Sequence, residues 1–213
     1  MKLALPKLPT LLDDSSIAMM VNDGELENGR LQNETAVNCN VAALDLSSVA
    51  IEKVQFTGAQ FSRVTMRDVR ASHADFSSAH LDNGMIVRAE FMNCRMTGVD
   101  FSRTSLHDVV FRGCKLDLAN FRFSDLRRVE FIDCTLNETD FMNAKLAYVE
   151  CQSSTLEKTV FTQAVCKQVD LRSSELIDIA GWRDLKGAII DSMQLVSAAP
   201  YLAQELGIHI RET

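Results

Sequence analysis

The residues of this sequence that could carry out chemistry are its four histidines and six cysteines. No pair of histidines has the spacing of a metal-binding motif. They are His73, His80, His107 and His209. Three cysteines recur at intervals of twenty residues, which could stack them as metal ligands or as packed thiols. These are Cys94, Cys114 and Cys134. Because three thiols without a fourth ligand make a weak zinc site, packing is the favoured interpretation.

Other catalytic arrangements are also missing from the sequence. It contains no glycine-rich loop of the kind that cradles phosphates. Its Asp and Glu pairs have no apolar setting that would shift their pKa values toward acid–base catalysis. We therefore predict a protein that is not an enzyme and that uses no cofactor and no metal.

The charge balance excludes one class of partner. The chain has a formal net charge of −7 and a pI near 5.1. Direct binding of nucleic acid needs clustered Lys and Arg to neutralise phosphates, so we predict no direct contact with nucleic acid. An acidic protein is better suited to a basic protein partner.

The N-terminal residues 1–23 resemble neither a signal peptide nor a membrane anchor. Pro6 and Pro9 interrupt the apolar start, and Asp13 and Asp14 follow it. No apolar run in the sequence approaches the length of a membrane span. We predict a cytoplasmic protein without membrane contact, whose cysteines are reduced. Asp14-Ser15-Ser16 is a candidate cap for a short helix, and residues 1–23 form a predicted N-terminal lid.

The element that must position all outward residues is a five-residue repeat. From Leu26 to Leu176, 31 consecutive units have an apolar or small central residue, with Phe and Leu alternating between Phe101 and Leu146. Two residues before each centre lies a second, mostly small position, broken only by Glu34 and Leu44. Neither a helix nor a strand repeats every five residues, so the period indicates a small structural unit copied in tandem.

Four such units close a square coil of twenty residues if the chain turns once in each unit. Every twentieth centre then stacks on its equivalent in the next coil, as parallel strands do at about 4.8 Å. One such column is Phe101, Phe121, Phe141 and Phe161, and another is Phe91, Phe111 and Phe131. The sequence predicts an all-β fold, a four-sided parallel β-helix over residues 24–178.

The repeat ends after Leu176, and residues 179–213 form a predicted C-terminal capping and dimerisation module. A solenoid end needs a cover because it exposes unpaired backbone and apolar side chains. Apolar residues with helical spacing follow Asp191 and Ser192 and end near Gly207. Pro200 is expected to kink this helix or to split it in two. The alternation in 208–210 predicts a short terminal strand.

The uninterrupted repeat resembles the pentapeptide-repeat family, whose members fold as right-handed quadrilateral parallel β-helices. The end module, from Leu185-Lys186-Gly187-Ala188-Ile189-Ile190 to Leu206-Gly207-Ile208, resembles that of the quinolone-resistance (Qnr) branch. In that branch the C-terminal module joins two rods, and the dimer binds DNA gyrase and topoisomerase IV. The resemblance implies a non-enzymatic protector of type II topoisomerase against quinolones or natural poisons. A generic scaffold for another cytosolic partner is the alternative.

One face of the predicted coil carries more acidic than basic side chains. Its acids are Asp75, Asp117, Glu138, Glu157, Glu175 and Asp178, against Arg95, Lys115 and Lys158. Such a strip could imitate the phosphates of duplex DNA and occupy the basic DNA-binding saddle of a topoisomerase. It could equally be a solvated face that keeps the protein soluble.

The apolar residues of the C-terminal module are candidates for a homodimer interface. They are Trp182, Leu195, Tyr201, Leu202, Leu206 and Ile208. A cap buries one side on the last coil, so apolar residues on its other side would suit a two-fold contact. Packing of the cap and contact with a second copy are therefore competing roles for these residues.

Overall fold

A computed structural model describes residues 3–209 and 211 of the chain. The predicted lid and the predicted module both extend beyond these residues, as does Ile210 of the predicted terminal strand; Ile208 and His209 lie in no strand. The helices are α1 (Ile17–Asp23) and α2 (Ser192–Glu205), with a 3₁₀ turn at Trp182–Asp184. The strands are β1 (Asp13–Asp14), β2 (Glu25–Glu27), β3 (Gly29–Gln32), β4 (Asp45–Glu52), β5 (Thr65–Ser72), β6 (Met85–Met92), β7 (Ser105–Arg112), β8 (Asp125–Ile132), β9 (Lys145–Gln152), β10 (Thr155–Glu157), β11 (Val165–Lys167) and β12 (Glu175–Ile177).

The strands from β4 to β9 stack in parallel, each displaced by one coil of twenty residues. Thr65 pairs with Met85, for example, and Phe91 pairs with Phe111. These eight-residue strands bend around one corner and cover two sides of the coil. Single parallel bridges, such as that between Asp75 and Arg95, connect the other two sides. The predicted four-sided parallel β-helix is confirmed.

The central residues of the repeat form the core. All of them from Leu26 to Leu176 are buried except Cys166, which is half-buried. The rings stack within each of the two Phe columns. The ring centroid of Phe111 lies 5.1 Å from that of Phe91 and 5.1 Å from that of Phe131. Edge contacts join the columns, as between Phe101 and Phe111 at 6.1 Å. Stacked and edge-to-face pairs are favourable aromatic geometries, so the columns hold successive coils in register.

The corner of each unit is a residue in the left-handed backbone region. It lies two positions after each centre, from Asn28 to Asp178, and its φ ranges from 48° at Ser153 to 67° at Gly98. In the repeat only three corners are glycine, and 28 are other residues. This conformation is unfavourable for side chains other than Gly, Asn and Asp. Asn, Asp and Gly recur at this position, a feature of the sequence from which the corners could have been placed.

Leu118→Asn should raise the free energy of unfolding by about 0.5–1 kcal/mol, because asparagine tolerates the left-handed region better than leucine. The φ of Leu118 is 61° and its side chain is 57% exposed, so little burial is lost. Urea denaturation measures the change. Val165→Asn is the matched control, since Val165 is exposed in β11 and does not have positive φ. A destabilised Leu118→Asn variant would contradict the corner argument.

A ladder of side-chain hydrogen bonds runs along the small inward positions. Hydroxyl and thiol groups there donate to the carbonyl 23 residues earlier, as in Thr139 to Leu116 at 2.9 Å. The first turn of α2 continues this ladder beyond the last coil. Gln194 Nε2 donates to the Leu171 carbonyl at 2.7 Å, again 23 residues earlier. Gln194 at the start of the C-terminal helix therefore makes the hydrogen bond that an inward residue of a further coil would make.

Two different parts of the N-terminal region cover the coil. Helix α1 lies at the end, with Met20 fully buried, and its first N–H group is bound at 2.9 Å by the carboxylate of Glu34. This contact explains why Glu34 departs from the small-residue rule. Residues 3–12, here called the N-terminal strap, instead lie along the side of the coil. The Ala4 N–H donates to Asp108, which lies four coils beyond the first coil. The lid is thus formed by α1 and not by the strap.

The C-terminal helix is continuous, so of the two predicted effects of Pro200, a kink or a split, the split does not occur. Asp191 caps α2 and Gln194 completes a capping box. Pro200 cannot donate to the Val196 carbonyl, but this part of the helix faces solvent, where water can replace the lost bond. Near the other end, the Glu205 carboxylate accepts N–H bonds from Gly181, Trp182 and Arg183. That contact fixes α2 to the 3₁₀ turn.

The length and hydropathy of the helices bear on membrane contact. Within residues 3–209 and 211, neither helix is long and apolar enough to cross a bilayer.

Candidate partner-binding surface

The predicted acidic strip lies on one side of the coil, in its C-terminal half. Asp117 and Glu157 occupy the same column on alternate coils, while Glu138 and Asp178 occupy the corner column beside it. Glu175 pairs with Thr155 in the neighbouring column. Five of the six predicted acids therefore lie together on successive coils. Asp75 lies two coils before Asp117, and the coil that contains Arg95 separates them.

Some of these carboxylates already have partners within the protein. Asp75 pairs with Arg95 at 3.3 Å, and Glu157 lies 3.8 Å from the Lys158 ammonium group. Asp117 accepts hydrogen bonds from the Thr135 hydroxyl and from a backbone N–H. Of the six strip acids, Glu138, Glu175 and Asp178 are exposed and have no cationic partner in the part of the chain that the structure describes.

Another acidic column was missed from the sequence. Glu130, Glu150 and Asp170 are stacked on successive coils of a different side. Burial raises the pKa of Glu130, and the neighbouring charge of Glu150 adds to the increase. The twenty-residue spacing of these acids is visible in the sequence. Acidity is therefore distributed over more than one side of the coil.

A column of paired charges was also missed. Asp68 binds Arg88 of the next coil, and Asp108 binds Arg128 in the same way, each through two hydrogen bonds. These residues alternate at corners with intervals of twenty, so the period could have revealed them. Backbone N–H groups of the strap bind the same two carboxylates, at Ala4 and Lys7. No local pattern predicted that contact.

One group of side chains could hold a cation among residues 3–209 and 211. The ligand atoms of His80, Asp82 and Asp100 all lie within 4.8 Å of one another. His80 and Asp100 are neighbours because they are twenty residues apart, a spacing that the search for local metal motifs did not consider. The two carboxylates also accept hydrogen bonds from Ser62 and Asn120, which account for their positions.

The cysteine ladder consists of packed thiols. Cys94, Cys114 and Cys134 are buried on successive coils, and each sulfur donates to the carbonyl 23 residues earlier at 3.4–3.7 Å. Hydrogen bonding to the Cys114 thiol and burial both raise the pKa of Cys134. Burial and the bonds to carbonyl groups make the three thiols part of the packed interior of the coil.

The predicted interface residues separate into two groups. Trp182 is only 7% exposed, and Tyr201 and Leu202 are half-buried against the core, so these three hold the cap in place. Leu195, Leu206 and Ile208 are 51–64% exposed on the C-terminal module. The exposed apolar residues Met193 and Val196 of α2 were not in the predicted set. The apolar periodicity of α2 could not distinguish its buried side from its exposed side.

Comparison with family models identifies the repeat. The model described as "Pentapeptide repeat region" matches residues 65–141, 84–161 and 104–180, and that described as "Pentapeptide repeats (8 copies)" matches 45–83. These matches span residues 45–180, which is more than half of the chain. The chain belongs to the pentapeptide-repeat family. A comparison with curated proteins returned no match.

Among solved structures, the pentapeptide-repeat chain is similar to QnrB1, a plasmid-mediated fluoroquinolone resistance protein. Full-length QnrB1 aligns with a TM-score of 0.61 and 20% identity over 93% of this chain and 97% of QnrB1. A trypsin-treated QnrB1 aligns with a TM-score of 0.54 and 23% identity, covering 95% and 100%. HetL, a pentapeptide-repeat protein of the cyanobacterium Nostoc sp. strain PCC 7120, gives a TM-score of 0.46 and 19% identity, covering 79% and 90%. The QnrB1 similarity establishes a shared fold.

Proposed function

We propose that this pentapeptide-repeat protein is a non-enzymatic mimic of DNA. It binds DNA gyrase and topoisomerase IV in the cytoplasm and protects them from quinolones or natural topoisomerase poisons. The observation that carries the proposal is the acidic strip, in which Glu138, then Glu157, then Glu175 together with Asp178 lie on three successive coils of one side.

The strip has the geometry needed for charge mimicry. Successive coils are about 4.8 Å apart, and one DNA strand places a phosphate every ~3.4 Å along the helix axis. The acids lie in adjacent columns, and Lys158 stands between Glu138 and Asp178 in the corner column. The strip therefore presents a discontinuous row whose net linear charge density is below that of one DNA strand. A basic DNA-binding surface would attract this row for the same electrostatic reason that it attracts phosphates.

The fold supports the same proposal. QnrB1, with which the chain shares its fold along almost its whole length, is described as a fluoroquinolone resistance protein. The coil of this protein has no interruption from residue 26 to residue 176, so the sides of the rod and its ends are the surfaces available for contact.

The direct test is DNA supercoiling by purified gyrase in the presence of ciprofloxacin. Addition of the protein is expected to restore supercoiling in a concentration-dependent way, and bovine serum albumin at equal concentration is the control. Absence of any effect up to a large molar excess over gyrase would contradict the proposal. That result would favour the alternative, a pentapeptide-repeat scaffold for another cytosolic partner.

We further propose that the protein forms a homodimer through its C-terminal module. Leu195, Leu206 and Ile208 are exposed there, beside Met193 and Val196. Several large apolar side chains exposed in one terminal module suit a self-complementary interface, because two-fold symmetry applies each favourable contact twice.

Leu195→Asp is expected to convert the dimer to a monomer without unfolding it, because this side chain is exposed within one chain. Burying two unpaired carboxylates in the interface would be strongly unfavourable. Sedimentation velocity measures the change. Leu11→Asp is the matched control, since Leu11 is an exposed leucine of the strap. A monomeric wild type, or an equal loss of dimer in both variants, would contradict the proposed interface.

A further inference from the structure

The N-terminal strap is bound to the side of the coil through its backbone. The Ala4 N–H donates to Asp108 Oδ1 at 3.1 Å, and the Lys7 N–H donates to Asp68 Oδ1 at 2.9 Å. Pro6, between these two residues, is buried. The two hydrogen bonds depend on the backbone of the strap, so many sequences with free N–H groups at this spacing could make them.

The two carboxylates are held in place before any strap contact is made. Arg88 binds Asp68, and Arg128 binds Asp108. In each pair the Nε and Nη2 atoms of the arginine donate to the two carboxylate oxygens. The arginine partners hold the pKa values of both carboxyl groups below their usual range. The acceptors are therefore ionised at neutral pH and fixed in direction, which strengthens their hydrogen bonds to N–H groups.

Burial around these residues defines a groove. Asp68 and Asp108 are each 8% exposed although corner positions face outward. Val110 also lies in an outward column and is only 2% exposed. The strap lies over Asp68 and Asp108, because its N–H groups bind both carboxylates, and Arg88 and Arg128 cover them further. We call the surface formed by Asp68, Arg88, Asp108 and Val110 the corner groove.

The distance between the two carboxylates fits an extended backbone, and the direction of the N–H groups selects one kind. A β-strand spans about 9.9 Å over three residues, but its N–H groups at positions i and i+3 point to opposite sides. Asp68 and Asp108 are two coils apart, or about 9.6 Å at the strand spacing. Ala4 and Lys7 are three residues apart, which spans about 9.3 Å in a polyproline II helix. That helix has three residues per turn and no internal hydrogen bonds, so every third N–H group points the same way and is free to donate.

The sequence of the strap favours this conformation. Pro6 fixes its own φ and restricts Leu5 to extended conformations, and Pro9 does the same to Leu8. The strap therefore loses little conformational entropy when it binds.

We propose that the corner groove is a binding site for extended, proline-containing peptides, and that the strap is its ligand within the same chain. The ligand class is a polyproline II segment with N–H groups at positions i and i+3 and a proline at i+2. A partner that carries such a segment binds by displacing the strap. The strap competes at an effective concentration in the millimolar range, which is typical of short tethers. This site is independent of the acidic strip and of the proposed topoisomerase function.

The test uses the full-length protein with Ala4→Pro and Lys7→Pro, which removes both donors while keeping the strap extended. A fluorescent peptide with the sequence of residues 3–12 is titrated in an anisotropy experiment. It is expected to bind this variant at least ten-fold more tightly than it binds the wild type, whose groove is occupied. Equal binding to both proteins, or no binding to the variant at 1 mM peptide, would overturn the proposal.

Two control peptides test the ligand class. A peptide with Lys7→Pro lacks one donor and is expected to bind at least ten-fold more weakly. A peptide with Pro6→Ala and Pro9→Ala keeps both donors but is less preorganised, and its affinity is expected to fall about three-fold or more. Undiminished binding of the Lys7→Pro peptide would show that the N–H groups are not recognised and would overturn the proposal.

Amide hydrogen exchange in the unmodified protein gives an independent readout that does not depend on the folding of any variant. The Ala4 and Lys7 amides are expected to exchange at least ten-fold more slowly than those of Leu5 and Leu8. The latter two make no N–H hydrogen bond within the part of the chain that the structure describes. Equal exchange at the four amides would refute the contact on which the proposal rests.

Discussion

Phe111→Ala is expected to lower the free energy of unfolding by about 3–5 kcal/mol, the usual cost of truncating a buried phenylalanine. Phe111 is fully buried in the middle of its column, with Phe91 and Phe131 stacked on either face and Phe101 at its edge. In a solenoid each coil contacts only its neighbours. The cavity therefore weakens two coil–coil contacts at once, and chemical denaturation followed by circular dichroism measures the loss.

Phe123→Ala is the control for this prediction. Phe123 lies at a corner, is 53% exposed, and contacts the guanidinium of Arg103 with its ring. Its truncation should change the stability by less than about 1 kcal/mol, because little apolar surface is lost from the core. Similar losses in the two variants would contradict the view that the stacked Phe columns stabilise the rod.

Neutralising the unpaired acids of the strip is expected to weaken topoisomerase protection about ten-fold. The variant is Glu138→Gln, Glu175→Gln and Asp178→Asn, and these side chains are exposed, so the fold should be unaffected. If each charge contributes about 0.5 kcal/mol to binding, the three together contribute about 1.5 kcal/mol, which corresponds to roughly ten-fold in affinity. The readout is the protein concentration that restores half of gyrase supercoiling in ciprofloxacin.

A matched variant removes the same number of charges elsewhere. Glu25→Gln, Glu27→Gln and Asp45→Asn neutralise three exposed acids in the first coils, away from the strip. Protection should remain within about two-fold of that of the wild type. Added salt should also weaken the wild type more than the strip variant, since screening acts on the charges that remain. If the two triple variants lose protection equally, the strip is not the contact surface.

The C-terminal cap shows where sequence and structure diverge at the level of single residues. The sequence marked Asp191 and Ser192 as a helix start, and α2 does begin there. It could not separate Trp182, which packs on the last coil, from Leu195, which is exposed. Apolar periodicity indicates that a helix has a buried side, but the neighbouring elements determine which apolar residues it includes.

The acidic strip illustrates the same division. The period of twenty was enough to put Glu138, Glu157 and Asp178 on one side of the coil. Whether a carboxylate is available to a partner depends on neighbours in other coils, as the pairing of Asp75 with Arg95 illustrates. The interval of twenty makes two such side chains neighbours, but their reach and direction decide whether they form an ion pair.

The sequence by itself determined the coil, because each five-residue unit can turn only one large side chain inward, and equivalent residues then stack every twenty positions. It likewise determined that Phe91, Phe111 and Phe131 form one column. Only the tertiary structure decided the course of the strap. Its hydrogen bonds join residues 104 and 61 positions apart, Ala4 to Asp108 and Lys7 to Asp68. The strap lies outside the repeat, so no period links it to a coil. Its position is set by the hydrogen bonds from its own N–H groups to the buried carboxylates of Asp68 and Asp108.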